Sequence, residues 1–312
     1  MRKKVKDVVV GPNMTTGQLI DQMGSSGVFG AGRASKAVDI LEQMVRSNST
    51  VYLGLAGAMV PGGMRKVIAD MIRDGFVNVV VSTGANVTHD LMCSFGCPQW
   101  RQVSYSTDAE LRSKGVSRIY DSFIDQDAFE TFEREISSLL EKIVDAGAVI
   151  SPSELVRRIG KAISDDSSFV RAAAECDVPI FVPAFTDSIL GIQSYIFSQT
   201  HPFTLDVLAD LGRMIDISFQ SRSSGALLIG GGVPKNFILQ SKLIAPNGFN
   251  FAIQITTDRP EPGGLSGATL DEAVSWGKLE GSARMVTVYG DATILLPLIV
   301  AAVRERLAGP KS

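Results

Sequence analysis

The chain has 312 residues, 45% hydrophobic and 20% charged, with a formal net charge of −3. That length and apolar content can bury a large core, and a charge of that sign gives no general attraction to nucleic acid or to an anionic membrane surface. The three cysteines, Cys93, Cys97 and Cys176, argue against a secreted disulfide framework and for a reducing, cytoplasmic setting.

Taken in chain order, Thr50 to Leu55 reads as a buried strand closed by Ala56-Gly57-Ala58. Pro61-Gly62-Gly63 then opens a helix from Met64 to Arg73, whose apolar positions fall at helical spacing. Val77 to Val81 is a second strand, followed by Ser82 to Asn86, and a helix begins near Thr88. Asp121 to Glu141 reads as a connecting loop and an exposed amphipathic helix. Val178 to Val182 is a third strand, with Pro179 tolerable at its start, and Pro183 to Asp187 closes it. Leu205 to Ile217 fits a helix. Ala226 to Ile229, Phe251 to Thr256 and Met285 to Val288 are the fourth to sixth strands, and Ala292 to Leu307 is a closing helix. That closing segment has an apolar run interrupted by Pro297 and too short to span a bilayer, and the opening residues hold no apolar signal segment.

Short apolar runs without alternation, separated by helices, indicate parallel strands covered on both faces. The expected fold class is α/β: a single Rossmann-like domain over residues 1–312, with a mostly parallel sheet under helices and residues 1–45 as an N-terminal extension. In such sheets the ligand crevice lies at the carboxyl ends of the strands. Ala56 to Gly63, Ser82 to Asn86, Thr186-Asp187, Gly230 to Gly232 and Thr256-Thr257 are therefore expected on one edge.

Two local patterns carry chemistry. The turn Gly230-Gly231-Gly232-Val233-Pro234-Lys235-Asn236 lets a phosphate approach a backbone without Cβ atoms, although a tight strand-to-helix turn also explains it. It is not the GxGxxG fingerprint. Asp187, at a strand end, suits a ribose hydroxyl; its plain alternative is a helix N-cap. The second pattern is Asp271-Glu272-Ala273-Val274-Ser275-Trp276-Gly277-Lys278, which puts a carboxylate, an indole and a primary amine close together. An uncharged lysine amine attacks an imine or carbonyl and holds the carbon skeleton as a Schiff base. A surface helix end carrying Glu and Lys is the plain alternative. His89, Cys93 and Cys97 recur at four-residue spacing, but no fourth ligand is evident and cysteine packs as a small hydrophobe, so no metal is expected.

These segments resemble the deoxyhypusine synthase family. Asp271 to Lys278 is similar to that family's active-site lysine segment. Gly27 to Ala37, Val81 to Asp90, Pro183 to Asp187 with Leu190-Gly191, Leu228 to Val233 and Tyr289-Gly290-Asp291-Ala292 support it by order and spacing, so the likeness covers nearly the whole chain. It implies an NAD-dependent transferase that moves an aminoalkyl group from a polyamine such as spermidine to an acceptor amine, through an imine on Lys278. It assigns Thr83, Asp187, Gly231, Gly232, Thr257 and Asp291 to NAD. It assigns Glu272 and Trp276 to the polyamine, where a carboxylate and an aromatic face suit an ammonium. A homotetramer is implied as well, with a protein lysine or, in homospermidine-type enzymes, putrescine as acceptor.

The chain departs from the family pattern at four places. Asn236 stands where the family has a histidine, His89 where it has a glutamate, and Ile192 where an aspartate holds an amine. Pro262-Gly263-Gly264-Leu265-Ser266-Gly267 replaces Asp-Gly-Ser-Asp-Ser-Gly. The losses fall on groups that bind cationic amines or move protons, which keeps His89 and Asn236 as substrate-side candidates. Three functions follow: the transferase above, a related enzyme with a small-molecule acceptor and altered amine specificity, and a catalytically silent NAD-binding protein.

Overall fold

The computed structural model describes residues 3–101 and 107–309. In chain order the first elements are α1 (Thr16–Ser26), α2 (Phe29–Arg46), β1 (Thr50–Leu55), α3 (Arg65–Arg73), β2 (Val79–Ser82), α4 (Gly84–Ser94) and β3 (Trp100–Arg101). Then come α5 (Asp108–Ser113), β4 (Val116–Ile119), β5 (Ser122–Asp125), α6 (Asp127–Ile143), β6 (Val149–Ile150), α7 (Pro152–Ala162) and α8 (Phe169–Glu175). The middle continues with β7 (Ile180–Phe181), α9 (Ile189–Ser198), β8 (Thr204–Leu205), α10 (Val207–Gln220) and β9 (Ser224–Ile229). The last are α11 (Gly232–Gln240), β10 (Phe249–Thr256), α12 (Leu270–Ser275), β11 (Leu279–Tyr289) and α13 (Ala292–Ala308).

The chain forms two compact units, one of Met1–Ala56, Gly75–Val81 and Gly212–Ser312, the other of Gly57–Asp74 and Ser82–Leu211. In the first, β11, β10, β9, β1 and β2 lie side by side in that order. β1 pairs with β9 from Thr50 opposite Ser224 to Leu55 opposite Ile229, and β9 with β10 and β10 with β11 also run parallel. Successive side chains of a strand face opposite sides. Every residue of β9 and all but the first of β1 are buried, so both faces of these strands are covered. The fold is the expected α/β class with a parallel sheet under helices. Residues 1–45 hold α1 and all of α2 except Arg46. Ala37, Val38, Ile40, Leu41 and Met44 of α2 are 0% exposed and pack toward β10, β11 and α13. Full burial of side chains of this size contributes roughly 1.5–3 kcal/mol each, alanine less.

The second unit is mostly helical, with a three-stranded antiparallel sheet ordered β3-β5-β4 and the parallel pair β6-β8. Its inner polar anchor is Asp90 on α4, 0% exposed. Asp90 accepts from Arg65 Nε (2.5 Å), Ser168 Oγ (2.5 Å) and the Phe169 and Val170 N–H groups (3.3 Å each), tying the starts of α3 and α8 to α4. Arg65 also reaches Asp165 at 2.6 Å.

Several bounds differ from the sequence reading. The strand expected over 178–182 pairs only at Ile180–Phe181. The helix expected near Thr88 starts at Gly84, because Thr83 caps it. The last strand begins at Leu279, not Met285. Part of the expected loop after Asp121 is β5, whose companions β3 and β4 are short, exposed or half-buried, and carry no apolar run. Among the described residues no helix is long and apolar enough to cross a membrane.

Candidate functional site

The glycine turn after β9 sits beside the ends of its neighbours. Ala56 N–H donates to Ile229 O (3.0 Å), Gly230 N–H to Ile255 O (2.7 Å) and Gly290 N–H to Thr256 O (3.0 Å). These bonds bring Gly231, Gly232, Thr257 and Asp291 to adjacent carboxyl ends, as the parallel sheet requires. Gly230 (φ +74) and Gly232 (φ +55) occupy the left-handed region that favours glycine. Gly231 is extended, and its reason is steric: a Cβ there would lie 2.3 Å from Ser266 Cα. What approaches this glycine is therefore the chain's own 264–268 segment. Ser266 Oγ accepts from Gly232 N–H (3.2 Å), and Gln254 Nε2 donates to both Gly230 O (2.9 Å) and Ser266 O (2.8 Å).

Beneath this clasp lies Lys235, a group to which the sequence reading gave no role. It is 2% exposed. Its Nζ donates to Gln254 Oε1 (3.2 Å), Leu265 O (3.1 Å) and Ala268 O (2.5 Å). Burial pulls its pKa down to about 8, against the pull of Glu272 and with the help of the Lys278 charge. Helical phase carries the signal in retrospect: Lys235 falls on the same α11 face as Ile238 and Leu239, which are core residues. Asn236, its neighbour, is half-buried on the same helix.

The lysine segment is built by a helix end. Thr269 caps α12 by accepting from Glu272 N–H (3.1 Å). At the other end Gly277 takes φ +69, Gly277 N–H donates to Val274 O (2.9 Å) and Lys278 N–H to Ala273 O (3.0 Å). That is the paired-bond helix ending in which a left-handed glycine turns the chain sharply. Lys278 O then accepts from Phe249 N–H (2.9 Å), at the start of β10. The Lys278 backbone thus stands at the amino end of the strands, about 23 Å along β10 from Thr256 at ~3.3 Å per residue. Its side chain is half-buried, with Nζ 5.4 Å from the centroid of the Trp276 ring, which is 63% exposed. Glu272 is exposed on the first turn of α12. Lys278, Trp276 and Glu272 are therefore brought onto one short helix and its closing turn.

Thr257 is exposed just past β10. Asp291 caps α13, accepting from Thr293 N–H and Oγ1 (2.8 Å each) through Oδ1 alone. Among the described residues Oδ2 of Asp291 has no partner. That oxygen and the exposed Thr257 offer an acceptor and a hydroxyl that suit a ribose, whereas the Gly230 and Gly232 N–H groups are already taken by Ile255 O and Ser266 Oγ.

Three expected residues belong to the second unit. Thr83 Oγ1 accepts from Asn86 N–H (3.4 Å) and Nδ2 (3.2 Å), and Asn86 Nδ2 donates to Gly57 O (2.9 Å). His89 Nδ1 is 3.2 Å from Gln99 Nε2, and burial holds its pKa below the ordinary histidine value. A neutral ring can accept a hydrogen bond from an ammonium but brings no negative charge to it, as a carboxylate would. Asp187 is exposed, and the cap of α9 is Ser188, which accepts from Gly191 N–H (3.0 Å). Among the described residues the Asp187 carboxylate makes no hydrogen bond, which leaves it open to a ligand hydroxyl. Ile192, in place of the family's aspartate, is 54% exposed. Cys93, Cys97 and Cys176 are free thiols, and among the described residues no His, Cys, Asp or Glu group is placed to hold a metal.

The deoxyhypusine synthase family profile matches residues 18–303. A curated Methanosarcina mazei protein described as "Probable deoxyhypusine synthase 1" is 45% identical over 305 residues, covering 97% of this chain and 95% of the relative. A relative of the same description from Archaeoglobus fulgidus is 45% identical over 289 residues, covering 93% and 94%. The solved structure of a candidate deoxyhypusine synthase from Entamoeba histolytica shares the fold with a TM-score of 0.68 at 19% identity, covering 96% of each chain. The chain belongs to the deoxyhypusine synthase family, a family of transferases.

Proposed function

We propose that the protein is an NAD-dependent enzyme that moves an aminobutyl group from a polyamine to an acceptor amine through an imine on Lys278. The observation that carries this reading is the Gly277 turn, which fixes Lys278 by backbone bonds on both sides and sets its amine beside Trp276. Family membership supports the transfer itself. Thr257 and Asp291 are the groups for the dinucleotide, with Gly231, Gly232, Thr83 and Asp187 assigned to it by family likeness; because Lys278 stands at the opposite end of β10, its amine meets a dinucleotide held by another subunit of the homotetramer. NAD, when bound, supplies a hydride acceptor and later a donor. Glu272 pairs with a substrate ammonium, and the Trp276 face adds cation–π attraction. Lys278 Nζ adds through its lone pair to the imine carbon of the oxidised polyamine. The C–N bond to the leaving diamine breaks, and the diamine departs with the proton given up by Lys278. The acceptor amine then adds to the same carbon and displaces Lys278. Exposed apolar side chains such as Tyr195, Leu208 and Ile244 support a homotetramer as part of this proposal.

A second reading concerns the acceptor. Ile192 and the neutral His89 remove two groups that would favour an ammonium, which suits a small-molecule acceptor or an altered donor amine. The test is incubation with NAD and labelled spermidine or related amines, borohydride reduction and peptide mapping. The expected result is an adduct on Lys278, absent in Lys278→Arg. No adduct with any amine would remove the proposal. Product analysis with putrescine against a protein acceptor then separates the two acceptors.

A further inference from the structure

We propose that Lys235 is a positioning residue for Lys278: its ammonium pins the 265–268 segment against β10 and the glycine turn, and so sets where α12 begins and where the lysine after it is presented. This rests on Lys278 being the reacting amine. Lys235 has three donor hydrogens and meets three acceptors, Gln254 Oε1, Leu265 O and Ala268 O. Two of those acceptors are backbone carbonyls of one segment, and Ala268 directly precedes the cap residue Thr269. α12 has six residues, too few to hold a helix by its own hydrogen bonds. Its place is fixed from its two ends, by Lys235 at Ala268 and by Phe249 N–H at Lys278 O. Gln254 couples the pin to the glycine turn through Gly230 O and Ser266 O. The charged groups acting on Lys235 are Glu272 and Lys278, both on or beside α12. A neutral Lys235 would turn a lone pair toward one of its three oxygens and loosen the segment. Burial places that proton loss near pH 8, within reach of an assay.

The test uses Lys235→Met and Lys235→Gln in the full chain, with two readouts. Hydrogen exchange of amides 264–270, referred to amides 251–256, is expected to quicken about tenfold or more in both variants. The rate of borohydride-trapped adduct on Lys278 is expected to fall about tenfold or more at saturating amine, with little change in the amine concentration needed. In the wild type that rate should carry a falling limb with a midpoint near pH 8, and the limb should be missing from Lys235→Met. Unchanged exchange at 264–270, or a falling limb that persists in Lys235→Met, overturns the proposal. If neither variant folds, wild-type exchange from pH 7 to 9.5 decides: amides 264–270 must gain on 251–256 as Lys235 loses its proton, and a constant ratio overturns the pin. A wild type that forms no adduct refutes the role of Lys278, while the exchange result still judges Lys235.

Discussion

Lys242 offers a sharper test of buried charge in this sheet. It follows α11, is 2% exposed, and holds its Nζ 5.0 Å from the Phe249 ring centroid, 5.9 Å from that of Tyr52 and 3.3 Å from Ser218 O. Burial brings its pKa from 10.5 to about 8, with Glu280 pulling the other way. At ~1.4 kcal/mol per tenfold change in proton affinity, the folded protein carries a penalty of roughly 3 kcal/mol at pH 7. Replacing Lys242 by methionine removes that penalty. It also loses a long hydrogen bond and the ring contacts, about 1–2 kcal/mol together. The expected outcome is a variant more stable than wild type by about 1–2 kcal/mol at pH 7. The sign reverses the usual lysine case: the folded pKa lies below the unfolded one, so between about 8 and 10.5 the folded state holds fewer protons and wild-type stability rises with pH. At pH 9.5 the wild type recovers about 2 kcal/mol, and the advantage of the variant should close. Urea unfolding at pH 7 and 9.5 measures both values, and Lys235 cancels because both proteins carry it. A variant less stable at pH 7, or a gap of equal size at both pH values, would refute the reasoning.

Two further outcomes follow from packing. Gly231→Ala places a Cβ against Ser266 Cα, a backbone contact that no rotamer change relieves; a loss of about 1–3 kcal/mol in urea unfolding is expected, and a neutral substitution would show that the 264–268 segment is free to move. Asp90→Ala leaves Ser168 Oγ and two buried N–H groups without their acceptor, and leaves Arg65 with Asp165 as its carboxylate partner beside Ser94 Oγ and the residue-90 carbonyl. About 3–5 kcal/mol should be lost, and a loss below ~1 kcal/mol would mean that water replaces the carboxylate.

Much of the sheet was legible because the apolar runs of β1, β9 and β10 are buried on both faces, and short runs of that kind bounded by turn residues suit parallel interior strands. Gly230 to Gly232 was legible as a tight strand-to-helix turn because two of its glycines take a left-handed backbone that other residues adopt only at a cost. Other features were set by contacts that sequence spacing does not show. The start of α4 depends on the Thr83 hydroxyl finding Asn86. β4 and β5 pair across a turn with little apolar burial to announce them. The Asp187 cap alternative failed because the next residue, Ser188, had the hydroxyl that reaches Gly191. The place of Lys235 is set by acceptors far along the chain, Gln254, Leu265 and Ala268, which local spacing does not show.

The bonds that hold position 278, from its N–H to Ala273 and from Phe249 to its carbonyl, involve no atom of the side chain. Chemistry and scaffold are thereby uncoupled at this point. On the proposed mechanism, trimming the side chain to a methyl group would leave the stage intact with the actor absent, a silent vessel in which donor and acceptor could be captured side by side.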